Sequence, residues 1–110
     1  MNTFKKKKVA ILGTEYSVSY LKKVKYCREY GCDGYTDGVA KVIKVQMSES
    51  PEYDKKVMRH ELIHGFLFES GLAGGQHVRP ADETHDEQQV DWMAVMLPKI
   101  VKICEELECI

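Results

Sequence analysis

No run of apolar residues in this 110-residue chain approaches the ~18 needed to cross a bilayer as a helix, so a helical membrane span is not expected. No Pro/Gly/Ser-rich linker, internal repeat or low-complexity stretch divides the chain either. Its 44% hydrophobic content suffices for one core, and the expectation is a single domain over residues 1–110. An excess of one charge is also missing: 16 basic residues stand against 17 acidic, which argues against a nucleic acid or a membrane surface as partner. The one basic block, the lysine run 5–8, is followed only by Val9-Ala10-Ile11-Leu12, too short for a signal-peptide core. It reads as a solvated approach to a first strand, and the chain as cytoplasmic. The C-x-x-C spacing of zinc knuckles is absent, so Cys27, Cys32, Cys104 and Cys109 are expected as reduced thiols. Cys104 and Cys109 fall near a C-terminal helix in packing or surface positions, while Cys27 and Cys32 flank a turn across which they can approach each other.

What the chain does have is Arg59-His60-Glu61-Leu62-Ile63-His64-Gly65, an HExxH motif. On a helix of 3.6 residues per turn, residues four apart lie one above the other, so the imidazoles of His60 and His64 can converge on one tetrahedral ion. Glu61 sits about 100° further round, where it reaches a water on that ion rather than the ion itself, the place of a general base in metal-assisted hydrolysis. With four histidines and eleven glutamates in the chain, chance produces the motif in roughly one sequence of seventy, so the flanking context has to carry the reading.

That context is helical. Ser50-Pro51-Glu52 reads as an N-cap, a proline at the first helical position and an acid complementing the helix dipole, and Gly71 supplies the stop after about twenty residues. Upstream the pattern is sheet: Val9 to Leu12 is a short apolar run, and Tyr16, Val18 and Tyr20 alternate with Ser17 and Ser19. A third strand is expected over 39–47, where Ile43, Val45 and Met47 share a face. The stretch 21–30 is ambiguous, and Gly31-Cys32-Asp33-Gly34-Tyr35-Thr36-Asp37-Gly38 is dense in turn residues, with an acid spacing that does not fit a calcium loop. The fold class is therefore α+β: an N-terminal three-stranded antiparallel or mixed sheet packed on the motif helix, then one or two C-terminal helices separated near Pro98.

A catalytic zinc takes a third protein ligand and keeps its fourth position for water. Beyond the glycine-rich connection at Gly71, Gly74 and Gly75, a candidate binding loop reaching residue 81, the acids Glu83, Glu87 and Asp91 stand four apart, and His77 and His85 offer imidazoles. The residues by themselves leave that choice open. They also leave open which of Tyr35, Tyr53, His77, Arg79 and His85 stabilises an oxyanion.

The HExxH motif, a carboxylate some twenty residues on, and Val90-Asp91-Trp92-Met93-Ala94-Val95-Met96-Leu97-Pro98 together resemble the ImmA/IrrE-type zincin-like metallopeptidases and their small phage or prophage relatives, over roughly residues 50–100. In that family a second helix of the form E-x-x-A-N-x-F-A follows the motif. Its ligand position falls on Glu87, Val90 and Asp91 replace the A-N pair, and Met93-Ala94 the F-A pair, with Asp91 left as a hydrogen-bond partner for a ligand histidine. The resemblance implies a zincin-like minimal domain, a catalytic core without a helix-turn-helix region, holding Zn²⁺ through His60, His64 and Glu87, with Glu61 as the base of an endopeptidase acting on a protein or peptide. It further implies a substrate strand added beside 39–47. The alternative is a zinc-stabilised interaction module that binds a protein without turning it over.

Overall fold

Every second residue of the first hairpin turns inward: Val9 and Ile11 from β1 (Lys7–Ile11), and Tyr16, Val18 and Tyr20 from β2 (Thr14–Leu21), are all buried. The hairpin is closed by Leu12 and Gly13, both at positive φ (50° and 88°), the signature of a two-residue turn whose twist matches its strands. The computed structural model describes residues 6–72 and 87–110. After β2 come a short helix α1 (Lys25–Tyr30), β3 (Gly34–Asp37), β4 (Val42–Gln46), α2 (Pro51–Glu69) and α3 (Glu87–Glu106).

The sheet has four strands in the order β1-β2-β4-β3, where the sequence suggested three. It is mixed: β2 and β4 are parallel, with Val18 opposite Ile43 and Tyr20 opposite Val45, while both outer pairs are antiparallel. The extra strand, β3, lies inside the stretch read as turns. Gly34 serves there as a point of close approach, since a Cβ on it would stand 3.0 Å from Val57 Cγ1 and 3.3 Å from Glu61 Cγ of α2. β4 thereby becomes an interior strand, and among the described residues the edge on this side of the sheet is β3 rather than 39–47.

α2 buries Asp54, Met58, Glu61, Leu62, Gly65 and Phe66, a stripe at helical spacing laid across β3, β4 and β1. Its start is the expected one, with Ser50 Oγ accepting the Tyr53 N–H at 3.2 Å and Pro51 in the first turn. Its end is a Schellman turn. Gly71, at φ 78°, donates its N–H to Phe68 O, and the Leu72 N–H reaches back to Leu67 O at 2.9 Å. Gly65 lets the helix sit close on the first strand, because a Cβ there would lie 2.9 Å from Ile11 Cδ1.

α3 runs unbroken through Pro98, the single-helix outcome of the one or two C-terminal helices expected. The proline loses one backbone hydrogen bond. Packing on both sides offsets that loss: Trp92, Met93 and Met96 lie against the core before it, and Ile100, Ile103 and Leu107 are buried beyond it. The indole N–H of Trp92 donates to Ser70 Oγ at 3.1 Å, and Arg59 donates to Cys109 O at 2.6 Å, so α3 is pinned to α2 at two places. Cys104 and Cys109 are both core residues. Among the described residues no helix is long and apolar enough to cross a membrane.

Candidate active site

α2 presents His60 and His64 on the side turned away from its buried stripe. His60 and His64 are exposed, their ring centroids 4.8 Å apart, and their Nε2 atoms face each other at 3.2 Å. Two Zn–N bonds of ~2.0–2.1 Å at a tetrahedral angle set their nitrogens roughly 3.3 Å apart, so the pair has the spacing of two ligands on one ion. The helix achieves this by geometry alone, since residues four apart share a face.

Glu61 sits at the seam between helix and sheet and is only 7% exposed. The Thr36 hydroxyl lies 2.8 Å from its Oε1 and 2.9 Å from its backbone oxygen, so one side chain of β3 addresses both ends of this residue. Thr36 had no signal of its own in the sequence, because β3 is four residues long and bounded by Gly34 and Asp37. The pair Tyr35-Thr36, aromatic and β-branched, was the one available cue to a strand.

The motif side chains open onto a groove of about 650 Å³ between α2 and the β3 edge. Tyr26, Tyr35, Tyr53 and Phe68 contribute aromatic walls, and Lys56 and Asp33 the charges beside them. Tyr26 stacks between Tyr30 and Tyr35 with centroids 4.6 Å from each. The Tyr53 hydroxyl donates to Asp33 Oδ2, which raises the phenol's pKa. Of the oxyanion candidates, Tyr35 and Tyr53 therefore lie at the groove, while His77, Arg79 and His85 fall outside the described residues. Asp37 does turn chemistry. Its Oδ1 accepts the N–H groups of Val39 and Ala40 at 2.9 Å each, and these bonds hold its carboxyl below the ordinary range.

Among the described residues no group of three or more His, Cys, Asp or Glu is gathered for a metal. Glu87, the expected third ligand, is the first residue of α3, and its side chain, like that of Asp91, is outside the description; Glu83 and the connection from 73 onward lie outside it altogether. Compared with family models, with curated proteins and with solved structures, the chain matches none.

Proposed function

We propose that this chain is a zinc-dependent endopeptidase of the zincin-like kind, with His60, His64 and Glu87 holding the metal and Glu61 acting as the general base. The observation that carries the reading is the 3.2 Å separation of two exposed Nε2 atoms one helical turn apart, with a carboxylate beside them that is held by something else. Zinc bound there would supply Lewis acidity, polarising the scissile carbonyl and lowering the pKa of water.

The chain's own residues do the rest. Thr36 occupies Glu61 Oε1 and fixes the carboxylate plane, leaving Oε2 to take the proton of the attacking water and return it to the leaving amine nitrogen. The outer edge of β3 pairs with an extended segment of the substrate, which lays its carbonyl along the groove beside the two histidines.

The test sets zinc-loaded wild type beside Glu61→Gln against a proteome-derived peptide library, with metal content measured in both. The expected result is cleavage by the wild type and a loss of 10²-fold or more in the variant at unchanged metal content, the usual scale of acid–base catalysis. Equal cleavage by both would defeat the mechanism. Retention of peptides by both without cleavage would favour the binding module instead.

A further inference from the structure

We propose that Cys27 and Cys32 form a thiol–disulfide site at the rim of the groove, closed by low-molecular-weight disulfides such as oxidised glutathione and reopened by the corresponding thiols. The inference is independent of whether the chain cleaves peptides.

The two residues occupy a frame that brings side chains together. α1 ends in a Schellman turn: Gly31 takes the left-handed conformation at φ 67°, and the Cys32 N–H donates to Cys27 O at 3.1 Å. In this turn the side chains of those two positions meet, ordinarily as an apolar contact. Here both positions carry free thiols.

The chain repeats the device at the end of α3. Glu108 takes φ 54°, and the Cys109 N–H donates to Cys104 O at 3.0 Å, so Cys104 and Cys109 hold the same two positions of the same turn. Access separates the pairs. Cys104 and Cys109 are both sealed in the core, at 2% and 0% exposure, whereas Cys32 is half-buried and lines the groove. Only the first pair offers a sulfur to a reagent in solution.

Cys32 loses its proton to water, and its thiolate attacks one sulfur of the reagent disulfide. A Cys32–reagent bond forms, the reagent S–S bond breaks, and one half departs as a thiol after taking up a proton. Cys27 is buried and its pKa is pushed up to about 12, by burial first and then by the Cys32 thiol, so it waits as a thiol and acts second. Its sulfur attacks Cys32, its proton leaves with the second reagent half, and the protein disulfide closes. Two protein thiols are oxidised and one reagent disulfide is reduced to two thiols.

Closure tethers the end of α1 to the start of β3, because Asp33, the next residue, receives Gln46 N–H on its carbonyl and the Tyr53 hydroxyl on its carboxylate. The experiment treats the full-length native protein with oxidised glutathione and maps thiols and disulfides by mass spectrometry, with hydrogen exchange read over residues 32–37. The expected products are a Cys27–Cys32 disulfide, unmodified Cys104 and Cys109, and slower exchange in β3. Cys27→Ser should trap a stable glutathione adduct on Cys32. Cys32→Ser, a change at the half-buried position, should leave Cys27 unreactive. Four unreacted thiols, a lasting glutathione adduct on wild-type Cys32, or earlier closure of Cys104–Cys109 would each overturn the proposal.

Discussion

The two sides of α2 are made of the same helix and have opposite duties. One side carries Met58, Leu62 and Phe66 into the sheet, all at 1% exposure or less; the other carries His60 and His64 into the open. The core-facing side is indifferent to chemistry and intolerant of shape change, and the groove side is the reverse. Glu61 belongs to both, since it is buried like a core residue yet polar, and Thr36 is the partner that makes such burial tolerable. The fold thus carries the exposed histidine pair, the proposed metal ligands, without relying on it for stability.

Substitution on the core side gives the largest expected effect. Leu62→Ala opens a cavity at a fully buried position and should cost about 2–5 kcal/mol in denaturant unfolding, enough to unfold much of a marginal domain. At the seam, Gly34→Ala sets a methyl 3.0 Å from both Lys44 O of β4 and Val57 Cγ1 of α2, so one or both must give by a few tenths of an ångström. The expected loss is about 1–3 kcal/mol, and with it a weaker Thr36–Glu61 contact that lowers turnover beyond the stability loss. Unchanged stability would mean that the strand does not lie that close to the helix.

A smaller effect, graded by pH, sharpens the comparison at the end of α2. Glu69 Oε2 receives the Lys41 ammonium at 2.7 Å and the Tyr16 hydroxyl at 2.6 Å, and these partners, Lys41 first, lower its pKa from the ordinary 4.5 to about 2. A carboxyl with a depressed folded-state pKa stabilises fully above its unfolded value and progressively less as pH falls toward the folded one. Wild type should therefore lose stability between about pH 4.5 and 2 more steeply than Glu69→Gln, as followed by urea unfolding at each pH. Parallel pH profiles would remove Glu69 from the account.

Legibility in the sequence divides along the same line. The hairpin strands and α2 were readable because their signals are local: alternation in Tyr16, Val18 and Tyr20, a Ser50-Pro51 start, a Gly71 stop. The histidine pair was readable because four-residue spacing on a helix fixes convergence. β3 was not readable, since Gly34 and Asp37 speak for turns when neither α2 nor the neighbouring strand, whose close approach explains the glycine, is in view. Continuity of α3 through Pro98 was hidden for a similar reason, because contacts distant in sequence decide it. Thr36 followed β3 into obscurity, and with it a hydrogen-bond partner of the proposed base.

The groove side should give the smallest stability change and the largest change in metal binding, and this is where the account is most exposed. Calorimetric zinc titration of wild type, His60→Ala, His64→Ala and Glu61→Gln, each with its metal-free unfolding curve, measures both. The account predicts one zinc per chain in wild type and in Glu61→Gln, none in either histidine variant, and metal-free stabilities of the histidine variants within about 0.5 kcal/mol of wild type, as befits exposed positions. Wild-type zinc affinity in either histidine variant, or loss of zinc in Glu61→Gln with the fold intact, would contradict it.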